Sequence, residues 1–78
     1  MTRIAVIAII VTNPDSVEKL NEELHEFRQF IIGRLGVPYR EKNLNIISVA
    51  LDAPMDTINA LNGKIGALPG VSSKTIIQ

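Results

Sequence analysis

Seventy-eight residues with zero formal charge and no cysteine set narrow limits. A chain of this length makes one domain, buries only about 60–65% of its unfolded surface and is marginal alone. No disulfide can staple it and no thiolate can hold a metal. Its balanced charge, with only Phe27, Phe30 and Tyr39 as aromatics, argues against a nucleic-acid binder, which needs Lys and Arg to neutralise phosphates. Small domains without such staples often gain stability by oligomerising. The lack of cysteine fits a reducing cytoplasm.

The apolar run Ile4–Val11 (IAVIAIIV) is short, β-branched and bounded by turn residues. That pattern predicts a strand buried on both faces. It is far too short for a membrane span. No small-residue cleavage site follows it, so it reads as a strand rather than a signal peptide. Asn13-Pro14 then opens a helix: Asn13 can cap it, and Pro14 suits the first helical position. Asp15 with Glu18 makes a second, overlapping capping arrangement. Val17, Leu20, Leu24 and Phe27 follow at alternating spacings of three and four, one apolar helical stripe. Acids early in this helix and Arg28 late suit its dipole.

The middle of the chain, Phe30 to Pro54, reads as two strands joined by a polar turn. The strands run from Ile31 to Pro38 and from Leu44 to Leu51, with Tyr39–Asn43 between them. A second helix is expected from Pro54 to Leu68, with Ile58, Leu61, Ile65 and Leu68 as its stripe. A shift of 41 residues carries the first stripe onto the second, and Asp15-Ser16 onto Asp56-Thr57. This is a weak internal repeat of two strand–helix halves. Asn62-Gly63 could mark a break, because glycine inside a helix costs about 1 kcal/mol relative to alanine. Pro69-Gly70 ends the helix, and Val71–Ile77 is the last strand.

The order is βαββαβ. Right-handed crossovers and a central hairpin leave one strong candidate, the α+β ferredoxin-like sandwich. It has a four-stranded antiparallel sheet, strands one and three central, with two helices on one face. Both alternating sets of the first strand are wholly apolar: Ile4, Val6, Ala8, Ile10 and Ala5, Ile7, Ile9, Val11. Two helices cover only one face, so a homo-oligomer, a dimer or a dimer of dimers, is expected, built through the uncovered face or through a sheet edge.

Little in the chain reads as catalytic machinery. His25 is the only histidine. Glu22-x-x-His25 has the spacing used by di-iron helix bundles, but those need it twice with two further carboxylates; no metal site or cofactor is expected. No serine has a nucleophile motif around it. Gly33-x-x-Gly36 is too sparse for a phosphate cradle and reads as strand irregularity or close backbone approach. Asp52 and Asp56 flank a helix start and read as caps. Acids concentrate between residues 15 and 26, and Arg28, Arg34, Arg40 and Lys42 between 28 and 42. This leaves an acidic helix beside a mildly basic hairpin.

A wider constellation is family-like. It comprises Ser16-Val17-Glu18-Lys19-Leu20-Asn21, Leu24-His25-Glu26, Ile31-Ile32-Gly33-Arg34-x-Gly36-x-Pro38-Tyr39, Asn45-Ile46-Ile47-Ser48, Asp52-Ala53-Pro54 and Leu68-Pro69-Gly70-Val71-Ser72-x-Lys74-Thr75-Ile76. Together these resemble the small ACT-like regulators of the iron-only hydrogenase system, over nearly the whole chain. The resemblance implies an ACT-type fold and a regulatory role. A more distant resemblance is to the C-terminal domain of nickel-responsive regulators. Only His25 matches their metal ligands; Gly36-Val37-Pro38 and Leu44 stand where other ligands would be, and their DNA-binding segment has no counterpart here. Amino-acid-binding ACT domains usually have a glycine in the first strand–helix loop, and Thr12–Ser16 has none.

The expectation is a non-enzymatic oligomeric module that binds a small molecule or a partner protein at a subunit interface, with no direct nucleic-acid or membrane contact. Candidate contacts are Asn13 and Asp15 in the first loop, His25 on the first helix, and Arg34, Tyr39 and Arg40 on the hairpin. The alternatives are a small dimeric-barrel enzyme of the ferredoxin-like type, using Arg34 and His25, and a ligand-free structural adaptor.

Overall fold

The computed structural model describes all residues, Met1–Gln78. Strand β1 (Arg3–Val11) leads through a 3-10 turn (Pro14–Ser16) into helix α1 (Val17–Glu26). A second 3-10 turn (Arg28–Phe30) precedes β2 (Ile31–Tyr39), and a third (Arg40–Lys42) joins it to β3 (Leu44–Ala53). Helix α2 (Met55–Gly66) and β4 (Val71–Ile77) complete the chain. The sheet order is β2-β3-β1-β4 and every pair is antiparallel. This is the ferredoxin-like arrangement, with β1 and β3 in the centre.

Burial follows the pleat, because alternate residues of a strand face opposite ways. Ala5, Ile7, Ile9 and Val11 of β1 are buried with Ile47, Val49, Leu51 and Ala53 of β3. Leu20 and Leu24 of α1, and Ile58, Leu61 and Ile65 of α2, close over them. Val17, Phe27 and Leu68, three of the four end members of the two stripes, pack on the margin of this core. The helices meet through Lys64, whose Nζ lies 3.9 Å from Glu23 Oε2 and 3.8 Å from Glu26 Oε2. The same ammonium stands 5.5 Å from the centre of the Phe27 ring.

Local chemistry differs from the sequence expectation at the helix starts. Asn13 caps as expected: its Oδ1 accepts from the Asp15 N–H at 3.0 Å. The turn it caps is 3-10, however, and α1 proper begins at Val17. No Asp15–Glu18 capping box forms. Ser16 takes the N-cap position and spends its hydroxyl elsewhere, donating to the Pro69 carbonyl at 2.6 Å. Ser16 is the one buried polar residue, so that bond satisfies a group that water cannot reach. At α2 neither Asp52 nor Asp56 caps; Pro54 holds the N-cap position with no side-chain bond. Asn62-Gly63 does not break the helix, which runs unbroken to Gly66.

Two loops are bound together at one end of the sheet. The Thr12 N–H and hydroxyl both donate to the Gly70 carbonyl, at 2.7 and 3.0 Å. Gly70 sits at φ +69, and a Cβ there would stand 2.6 Å from Asn13 Cβ and 2.9 Å from Asn13 N. Both its conformation and its surroundings require glycine. Gly63 contrasts: a Cβ there would meet nothing. Gly70→Ala is therefore expected to destabilise the chain by about 2 kcal/mol or more, and Gly63→Ala to stabilise it by roughly 0.5–1 kcal/mol. Urea unfolding of the two variants checks this, and shifts of the same sign would contradict it.

Candidate functional site

The six residues singled out from the sequence do not converge on one place. Tyr39 and Arg40 flank the hairpin tip, where a recess of about 100 Å3 is lined by Pro14, Pro38, Tyr39, Arg40, Asn43, Leu44 and Asn45. The tyrosine hydroxyl donates to Glu41 Oε2 at 3.0 Å. Asn43 closes the turn in the left-handed conformation (φ 53), which asparagine tolerates better than most residues. Asn13 and Asp15 lie on either side of Pro14, but neither lines this recess. Asn13 is committed to its own turn, and Asp15 is exposed.

His25 and Arg34 are brought together elsewhere. They line a groove of about 450 Å3 between α1 and the start of β2, with Asn21, Leu24, Arg28, Ile31, Ile32 and Gly33. The strand is irregular here. Ile31 pairs with Leu51 and Gly33 with Ala50, so Ile32 is an extra residue in β2. Such a bulge re-aims the side chains that follow it. Arg34 pairs with the buried Val49, which places it on the helix side of the sheet. Its Nη2 donates to Asn21 Oδ1 at 2.9 Å, tying β2 to α1. Arg28 Nη1 donates to the His25 carbonyl at 2.9 Å. Around the helix, His25 and Asn21 also border a shallow acidic surface with Pro14, Val17, Glu18, Glu22 and Glu26.

Asn21 and Arg28 were missed from the sequence, whereas the strand irregularity read at Gly33-x-x-Gly36 is the bulge between Ile31 and Gly33. The spacing Asn21, His25, Arg28 puts residues four and then three apart, the interval that shares a helix face. That signal was available. The bulge had only Gly33 to announce it.

The groove holds one imidazole, and nowhere do three or more His, Cys, Asp or Glu side chains cluster as metal ligands would. Nickel and zinc sites need several nitrogen or sulfur ligands. Equilibrium dialysis of the untagged protein is expected to detect no stoichiometric, submicromolar nickel or zinc site; finding one would overturn this.

Comparison with known proteins places this geometry. Residues 3–75 match the family model "TM1266-like: Iron-only hydrogenase system regulator, putative". The structure of the uncharacterized protein TM1266 from Thermotoga maritima is 38% identical and superposes with a TM-score of 0.95, covering 99% of this chain and 98% of that one. Two further structures share the fold alone. A formyltetrahydrofolate deformylase from Pseudomonas putida KT2440 has a TM-score of 0.67 at 14% identity, covering 94% of this chain and 28% of that one. LarC2, the C-terminal domain of a cyclometallase involved in synthesis of the NPN cofactor of lactate racemase, has a TM-score of 0.51 at 10% identity, covering 100% and 58%. No curated protein matches the sequence. The chain belongs to the TM1266-like family, the family named for regulation of the iron-only hydrogenase system.

Proposed function

We propose that this protein is a non-enzymatic, oligomeric regulatory module of the iron-only hydrogenase system. It works in the cytoplasm and senses a small molecule or a partner protein. The observation that carries the oligomeric part is the sheet face opposite the helices. By strand pairing, that face presents Ile4, Val6, Ala8 and Ile10 of β1, and Ile46, Ser48, Ala50 and Asp52 of β3. Gly33, Leu35, Val37 and Tyr39 of β2 and Ser72, Lys74 and Ile76 of β4 continue it. Apart from Met1, Ile32 and Met55, all the exposed large apolar side chains of the chain lie on this face. Leu35 and Ile76 are 66% and 73% exposed.

Four strands at roughly 4.8 Å spacing and about 3.3 Å per residue give the face a projected area of roughly 500 Å2. That supplies much of the roughly 800 Å2 per partner of a stable interface. Completely burying such side chains is worth roughly 1.5–3 kcal/mol each. The occupant that fits is a second copy. The face carries one acid, Asp52, and one base, Lys74, so a twofold pairing brings no net charge together, and it is apolar on both sides.

No helix is long and apolar enough to cross a membrane. The family assignment supports the regulatory role. The neutral charge and scarce aromatics support a regulator whose DNA contact, where there is one, comes from another chain.

Light scattering at micromolar concentration is expected to give a dimer or a larger even assembly. Ile10→Glu, which places a charge in the middle of the face, should shift it to monomer with a lower melting temperature. A stable wild-type monomer would overturn the oligomeric reading. The pure protein is also expected not to shift hydrogenase promoter fragments at physiological salt; submicromolar, sequence-dependent shifting would contradict this.

A further inference from the structure

We infer that the groove between α1 and β2 is a binding site for a small organic oxyanion, a carboxylate or phosphate ester with a short apolar part. The inference rests on the sensing role proposed above and names the class of effector. Among the residues lining the groove are two guanidinium groups, Arg28 and Arg34, one imidazole, His25, and one amide, Asn21; none is an acid. Leu24, Ile31 and Ile32 supply apolar wall.

The two arginines are held but not neutralised. Arg34 spends one N–H on Asn21 and Arg28 one on the His25 carbonyl. A guanidinium has five N–H donors, so most of each fork remains free. No ion pair forms at either arginine. The nearby carboxylates of α1 are engaged instead: Glu22 lies 3.7 Å from Lys19 Nζ, and Glu26 3.8 Å from Lys64 Nζ. The fork geometry matches the paired oxygens of a carboxylate or phosphate, and such charge-assisted bonds are the strong ones. The anchoring bonds aim the two forks before a ligand arrives, which reduces the entropy lost on binding. The apolar wall selects against a bare inorganic anion.

The test is a 15N–1H NMR titration of the full chain with hexanoate, phenyl phosphate, inorganic phosphate and the uncharged hexanamide. Hexanoate or phenyl phosphate should shift amides from Asn21 to Arg34, and whichever binds identifies the headgroup. Each should bind at least about tenfold more tightly than inorganic phosphate or hexanamide. Arg28→Gln and Arg34→Gln should each weaken binding about tenfold, in line with loss of one charge-assisted bond. Lys42→Gln, on the hairpin turn, should leave it unchanged. The side-chain hydrogen bond of Arg28 is to the nearby His25 carbonyl and ties no strand to the helix, so its variant keeps the test valid where Arg34→Gln disturbs the fold. The inference is overturned by absence of saturable shifts for both organic anions at millimolar concentration. It is also overturned by equal affinity for hexanamide, or by unaltered affinity in both arginine variants. Light scattering on the same samples separates the two proposals: an intact oligomer without anion binding defeats only the groove, and an anion-binding monomer defeats only the oligomeric reading.

Discussion

Everything in this structure depends on a central strand that is apolar on both sides. β1 is flanked by β3 and β4, so its backbone is fully engaged in the sheet. Its side chains then need two covers. The chain has two helices, and both lie over the face carrying Ala5, Ile7, Ile9 and Val11. The antiparallel order β2-β3-β1-β4 forces this, because each right-handed crossover returns on the same side of the sheet. The chain therefore contains one completed core and one exposed apolar surface. In the oligomer proposed above, a second copy would supply what a third layer of secondary structure supplies in a longer protein.

The completed core also needs its two halves held in register, and the loops at the β1–α1 end do this. Thr12 and Ser16 donate to the carbonyls of Gly70 and Pro69, so the loop leaving β1 is bonded to the loop entering β4. These bonds explain why Ser16, at the N-cap position of α1, makes no side-chain cap. The Ser16 hydroxyl is worth more buried against a carbonyl far along the chain than on an N–H that water can satisfy. They also explain why Gly70 is glycine, since Asn13 occupies the space a side chain would need. At the opposite helix surface Lys64 joins α2 to the acids of α1.

The fold was legible in the sequence because the signals that determine it are periodic. Two apolar stripes, one doubly apolar strand and one polar turn suffice to order βαββαβ. Helix beginnings were less legible. Asn13 was read correctly, but Asp15, Asp52 and Asp56 were also read as caps, and none of them caps a helix. The candidate site was the least legible part. Reading residues by loop placed Asn13 and Asp15 beside Tyr39 and Arg40, yet only Pro14 of that first loop reaches the hairpin recess. Arg34 was grouped with Tyr39 and Arg40 on the hairpin, although its strand position turns it toward α1. The extra residue Ile32 sets the strand's register at that point, and a one-residue insertion leaves no periodic trace.

His25 shows how placement decides what a residue type can do. With Glu22 it has the spacing of a di-iron helix motif, and by itself it matches one metal ligand of the nickel-responsive regulators. In the fold it stands at a boundary, with acids along the outer face of α1 and Arg28 and Arg34 in the groove on the other side. A divalent cation on the groove side would sit beside two permanent positive charges and gain one nitrogen ligand. On the outer side it would compete with Lys19 for Glu22 and with Lys64 for Glu26. An anion in the groove meets neither obstacle. It finds both guanidinium groups free of ion pairs and an imidazole able to donate a hydrogen bond, next to an apolar wall. The same histidine that signals metal chemistry in a relative's helix is here placed to favour a ligand of the opposite charge.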